Sequence, residues 1–124
     1  MNKIHTDKAP KAIGPYSQAM VSGGLVFTSG QIPLDPVSGE VITGGIAEQT
    51  RRALDNLCAV LEAAGSCPGK VVKTTCFLAD MQYFAAFNNI YSEYFPGCPA
   101  RSCLAVKTLP KGVLVEVEAI AEVN

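Results

Sequence analysis

Two periods of apolar and polar positions run along this chain, and the residues that favour turns fall where one gives way to the other. Ser17–Ser22 and Leu25–Ser29 are short runs rich in apolar residues separated by Gly23-Gly24, which predicts two strands joined by a two-residue hairpin. Over Ile46–Ala64 the pattern changes. Ile46, Thr50, Ala53, Leu54, Leu57, Cys58, Leu61 and Ala64 recur at spacings of three and four, with Glu48, Arg51, Arg52, Asp55 and Glu62 off that stripe. This predicts an amphipathic helix ended by Gly65. Val71–Ala79, rich in β-branched residues, predicts a strand, and Asp80 then caps a second helix that runs to Phe95 and stops at Pro96-Gly97. Arg101–Thr108 and Val113–Val123 predict two further strands around a Leu109-Pro110-Lys111-Gly112 turn, with a short extra strand near Ile4.

The order β-β-α-β-α-β-β implies an α+β fold, a mixed β-sheet with two helices packed on one face. Along the last strand Val113, Val115, Val117, Ala119, Ala121 and Val123 point one way, and Leu114, Glu116, Glu118, Ile120 and Glu122 the other. The first row suits a sheet face under helices. The second is more apolar than a fully solvated face requires, so a subunit interface or a cleft is expected there.

Composition narrows the function. The 124 residues are expected to form one domain, 1–124, large enough to hold a core without a metal or disulfide staple. Ten Lys plus Arg against eleven Asp plus Glu leave a net charge of −1, which offers no electrostatic reason to expect nucleic acid. Charged residues make up 17%, low enough to hint that another copy covers part of the surface. The longest uncharged stretch, Ala12–Leu34, is broken by glycines and prolines, so no membrane association is expected. No leader pattern is visible near Met1, and the five cysteines form no C-x-x-C pair, which together point to the cytoplasm. With His5 as the only histidine, neither a zinc set nor a Ser-His-Asp triad has its ligands, and without a phosphate-cradling glycine loop no nucleotide cofactor is expected.

A few residues remain that could carry chemistry. Arg101 follows the rigid Pro96-Gly97-Cys98-Pro99 turn, and its planar fork suits a carboxylate, although a solvated arginine paired with a neighbouring acid has the same signature. Glu118 could place a water if its face belongs to a cleft, or could simply be solvated. Tyr16 after Gly14-Pro15 carries a hydroxyl that could orient a polar ligand or an aromatic ring that fills the end of the core. Ser29 beside Gly30 sits where a backbone can approach a ligand, or in an ordinary turn. Asn88 falls on the apolar stripe of the second helix, where a buried amide needs partners from backbone or ligand. Cys103 shares a strand face with Arg101, yet lacks a base to activate it.

Four segments in order give these residues a pattern: Ala12-Ile13-Gly14-Pro15-Tyr16-Ser17-Gln18, Thr28-Ser29-Gly30-Gln31-Ile32-Pro33, Pro99-Ala100-Arg101-Ser102-Cys103 and Val117-Glu118-Ala119-Ile120-Ala121. The chain resembles the RidA/YjgF family of imine deaminases over essentially its full length. That resemblance implies a chorismate-mutase-like fold and a homotrimer with clefts between subunits. It also implies hydrolysis of reactive 2-imino acids or enamines, released by pyridoxal-phosphate-dependent serine and threonine dehydratases, to 2-keto acids and ammonia. By the same resemblance Arg101 binds the substrate carboxylate, Glu118 places the water, and Tyr16, Ser29, Gly30, Asn88 and Cys103 line the cleft, Cys103 through its backbone amide. No metal and no organic cofactor is implied. Two other activities are associated with such proteins, an RNA-directed translation inhibitor or endoribonuclease and a trimeric ligand-sensing or chaperone-like module.

Overall fold

A computed structural model describes residues 1–124. Its elements in chain order are β1 (Asn2–Ile4), β2 (Ala19–Ser22), β3 (Leu25–Thr28), α1 (Ile46–Ala63), β4 (Val71–Leu78), α2 (Phe84–Tyr94), β5 (Ala100–Ala105) and β6 (Val115–Glu122). The expected mixed sheet with two helices is present, and every predicted element is found. The sheet has six strands in the order β1-β2-β3-β6-β4-β5.

Local chemistry explains the element ends. Gly23 and Gly24 both take positive φ, +60° and +79°, as a two-residue hairpin with the right-handed strand twist demands. At the start of α1 the Gly45 N–H donates to Glu48 Oε1 at 2.8 Å. At its end Gly65 adopts φ +82°, its N–H donating to Glu62 O at 3.0 Å while the Ser66 N–H donates to Leu61 O at 2.9 Å. Two carbonyls that the helix cannot satisfy are thereby bonded. Asp80 caps as expected, accepting from the Gln82 N–H at 2.8 Å, but the turn it starts, Met81–Tyr83, is a 3-10 turn and α2 proper begins at Phe84.

Strand order holds the main surprise. The Leu109–Gly112 turn does not join neighbours: β6 lies between β3 and β4, antiparallel to both, and β5 pairs in parallel with the far side of β4. Residues 106–114 therefore carry the chain past one intervening strand, about 10 Å at the usual interstrand spacing. A strand with one apolar row and one glutamate-bearing row thus takes the interior of the sheet, paired on both edges. Val115, Val117, Ala119 and Ala121 are buried beneath the helices, in the row that the alternation predicts. They join Leu54, Leu57, Val60 and Leu61 of α1 and Phe87, Ile90 and Tyr91 of α2 in one cluster of 19 buried residues.

The opposite face carries no layer of its own. By register it presents Met20, Phe27, Ile120, Phe77 and Leu104, with Glu116 and Glu118 among them. Phe27 and Leu104 are 42% and 43% exposed, a large apolar allowance for side chains in the middle of strands.

Candidate functional site

The residues picked from the sequence fall into two groups, separated by the sheet itself. Arg101 and Cys103 lie on the helix side of the edge strand β5. Arg101 is the register partner of Thr74 and shares its row with Ala119, whereas Glu118 pairs with Thr75 in the row that points the other way.

On the helix side, Arg101 Nη1 donates to Asn88 Oδ1 at 2.7 Å, and the guanidinium carbon lies 4.9 Å from the Tyr91 ring centroid and 5.5 Å from that of Phe84. Asn88 therefore spends its carbonyl oxygen on the arginine. The ion pairs of the chain are His5–Asp7 and Arg51–Glu93, so no carboxylate neutralises Arg101. Beside it is a cavity of about 350 Å³ lined by Asn88, Tyr91, Ser92, Phe95, Cys98 and Arg101. Cys103 is half-buried and stands next to Cys76 in the strand register. Burial pushes the Cys103 thiol up, only partly opposed by the Arg101 charge, and burial pushes Cys76 up to about 12. Both sulfurs are therefore thiols, not thiolates, at neutral pH.

On the open side, Tyr16, Ser29 and Gly30 come together around a second cavity of about 350 Å³, with Lys11, Gln31 and Glu116 also in its wall. The Ser29 hydroxyl is committed, donating to Ser17 O at 2.5 Å, and its N–H donates to Gln18 O at 2.9 Å. Ser29 thus extends the β2–β3 ladder and shapes the wall. Tyr16 stands half-exposed at the mouth. Gly30 has a specific reason to lack a side chain, since a Cβ there would sit 1.9 Å from Glu116 Oε2. The carboxylate lies directly against the backbone of residue 30.

Glu116 was not singled out from the sequence, because parity makes it equivalent to Glu118 and Glu122 on the same strand face. The structure distinguishes them. Glu116 is in the cavity wall, while Glu118 stands two residues along and lines neither cavity. Burial raises the Glu116 pKa above the ordinary carboxylate value, and the neighbouring Glu118 charge adds to the rise. The one sequence signal that could have pointed to Glu116 is Gly30, but only pairing across strands reveals that the two meet.

Two buried polar residues of α1 support this cavity. Asn56 Nδ2 donates to Ile32 O at 3.1 Å and Leu34 O at 2.9 Å, and Gln49 Oε1 accepts from the Leu114 N–H at 2.8 Å. They pin the loop after Gly30 and the entry to β6. No group of three or more His, Cys, Asp or Glu side chains is placed to hold a metal ion.

Residues 6–123 match the protein family described as Endoribonuclease L-PSP. The chain belongs to this family. Members similar to it include the mouse 2-iminobutanoate/2-iminopropanoate deaminase, 51% identical over 119 residues that cover 95% of this chain and 88% of the mouse protein. Among solved structures, the YjgF gene product of E. coli is 46% identical with a TM-score of 0.93, covering 98% of both chains. E. coli TdcF, solved with bound serine, is 42% identical with a TM-score of 0.94 over 100% of each chain. The resemblance drawn from the four sequence segments is therefore correct at the level of family and fold. Names within the family range from endoribonuclease to deaminase, so membership alone does not select an activity.

Proposed function

We propose that this protein hydrolyses 2-imino acids, or their enamine tautomers, to 2-keto acids and ammonia, as a homotrimer in the cytoplasm with clefts between subunits. The observation that carries the reading is Arg101. A half-buried guanidinium whose single hydrogen bond within the chain goes to a neutral amide, with no carboxylate to neutralise it, is suited to an anionic ligand. The deaminase name borne by the mouse relative and the serine bound by TdcF agree with a small amino-acid-like carboxylate.

In the proposed mechanism Arg101 holds the substrate carboxylate, and a water adds through oxygen to C2 of the imine while giving a proton to a glutamate. The nitrogen of the resulting carbinolamine takes that proton back from the glutamate, the hydroxyl gives its own proton to the glutamate as the C=O bond forms and the C–N bond breaks, and ammonia leaves with a 2-keto acid behind. Because an iminium carbon is already electrophilic, a positioned base and an oriented carboxylate account for the acceleration asked of the protein. The family resemblance proposes Glu118 as that base. The cavity wall and the raised pKa favour Glu116, with Glu118 acting on it as a nearby charge. Arg101 and either glutamate face opposite sides of their own sheet, so a cleft containing both needs a second subunit. The apolar open face offers the surface on which subunits would meet.

The test couples a serine or threonine dehydratase to this protein and follows 2-keto acid formation. Arg101→Ala and Arg101→Lys should both lose nearly all acceleration, because a point charge cannot reproduce two parallel hydrogen bonds. A lysine variant of unchanged oligomer mass that kept most of the rate would overturn the bidentate role. Incubation of the same preparations with RNA examines the other activity named in the family, and RNA cleavage untouched by Arg101→Ala, without imine hydrolysis, would favour that reading.

A further inference from the structure

We infer that Tyr91 and Phe84 are positioning residues that orient Arg101 before any ligand arrives; this rests on the reading of Arg101 as the carboxylate site. Phe84, Asn88 and Tyr91 are spaced by four and three, so they form one stripe of α2 along which the guanidinium lies. Each member removes a different freedom. The aromatic rings attract the cation and restrict the plane of the fork, and the Asn88 oxygen on Nη1 restricts rotation within that plane. What remains without a protein partner is the edge formed by Nε and Nη2, the pair of parallel donors that a carboxylate accepts in bidentate fashion.

Tyr91 is itself unusually well held. It is 7% exposed, its ring packs at 5.5 Å from Phe87 and 4.8 Å from Phe95, and its hydroxyl lies 2.7 Å from Oγ1 of the fully buried Thr74. Thr74 is the β4 register partner of Arg101. A hydrogen bond and a ring contact thus connect the strand beside the arginine, through the helix, back to the guanidinium. An arginine so placed loses little rotamer freedom when a carboxylate binds, which is the general source of affinity by preorganisation. The contribution is equal for substrate and transition state, so it belongs in KM more than in kcat.

Isothermal titration of the assembled full chain with 2-oxobutanoate reads carboxylate binding without turnover. Phe84→Leu and Tyr91→Leu should each weaken binding roughly five- to tenfold, the scale of a partly desolvated cation–π contact. In the coupled assay KM should rise by the same factor while kcat stays within about twofold. Tyr91→Phe keeps the ring and should recover most of the affinity. Tyr94→Leu, which removes an aromatic from the same helix away from Arg101, should lower the melting temperature without changing affinity. If Arg101→Ala abolishes binding but folded Phe84→Leu binds as tightly as wild type, the positioning role is wrong. If Arg101→Ala itself leaves binding intact, the carboxylate reading fails and this inference with it. Should Tyr91→Leu not fold, the half-buried Phe84 decides the matter.

Discussion

Glu116 shows how much one side chain's neighbours decide. The carboxylate lies over a glycine backbone, in a cavity wall, with its pKa raised first by burial and then by Glu118. If it is the base, the deaminase rate should fall as pH drops through that raised value, so the acid limb of kcat/KM lies above the ordinary carboxylate range. Glu118→Gln removes the neighbouring charge and should shift the limb to lower pH, whereas Glu116→Gln should remove it and cost about 10² or more in rate. A pH–rate profile of the three proteins decides between the two glutamates, and an unshifted limb in Glu118→Gln would separate them electrically. Linkage adds a stability sign. A raised folded pKa means that the stability associated with this group is present below its unfolded pKa and lost as pH rises through the folded one, so Glu116→Gln should melt higher than wild type at neutral pH. Gly30→Ala forces the carboxylate away from the backbone, because the new Cβ would lie 1.9 Å from Oε2. A displacement of that order should lower the deaminase rate about 100-fold while circular dichroism stays unchanged.

The helix α1 carries both a packing face and a set of polar supports. Leu54, Leu57 and Leu61 fill the core as their spacing predicts, but Gln49 and Asn56 are buried as well, at 8% and 0% exposure, because they bond to loop backbone. A stripe drawn from apolar residues alone omits them. Asn56→Ala leaves the Ile32 and Leu34 carbonyls without their donor and should cost about 1–3 kcal/mol, read as a lower urea midpoint at fixed protein concentration. The loss should be accompanied by a weaker deaminase, since these carbonyls belong to the wall of the Glu116 cavity. Full stability in Asn56→Ala would show that the loop holds itself.

At the scale of the molecule, the sheet divides the candidate residues between its two faces, and closed cyclic assembly is the simplest way to reunite them. Light scattering should return three times 13.1 kDa. A stricter test mixes subunits. Arg101→Ala and Glu116→Gln should each be inactive alone, yet after denaturation and co-refolding roughly a quarter of the clefts should receive an intact arginine from one subunit and an intact glutamate from its neighbour, restoring a matching share of activity. No recovery in hybrids of the right mass would place both groups of one working site in a single chain.

Much of this was legible in the chain. Periods of two and of three to four residues, with Gly23-Gly24, Gly65 and Asp80 as punctuation, determined the elements, because each reports a local constraint on backbone or burial. Alternation along Val113–Val123 determined which row of that strand enters the core, and the four segments from Ala12 to Ala121 determined the family. Tertiary structure decided what meets across the sequence. It put β6 between β3 and β4 instead of beside β5, which buries the row of Val115, Val117, Ala119 and Ala121 under the helices. It set Glu116 against Gly30, separated Arg101 from the glutamates by the thickness of a sheet, and placed the guanidinium on Asn88, Tyr91 and Phe84. Those outcomes depend on contacts between residues far apart in the chain, which no local period encodes.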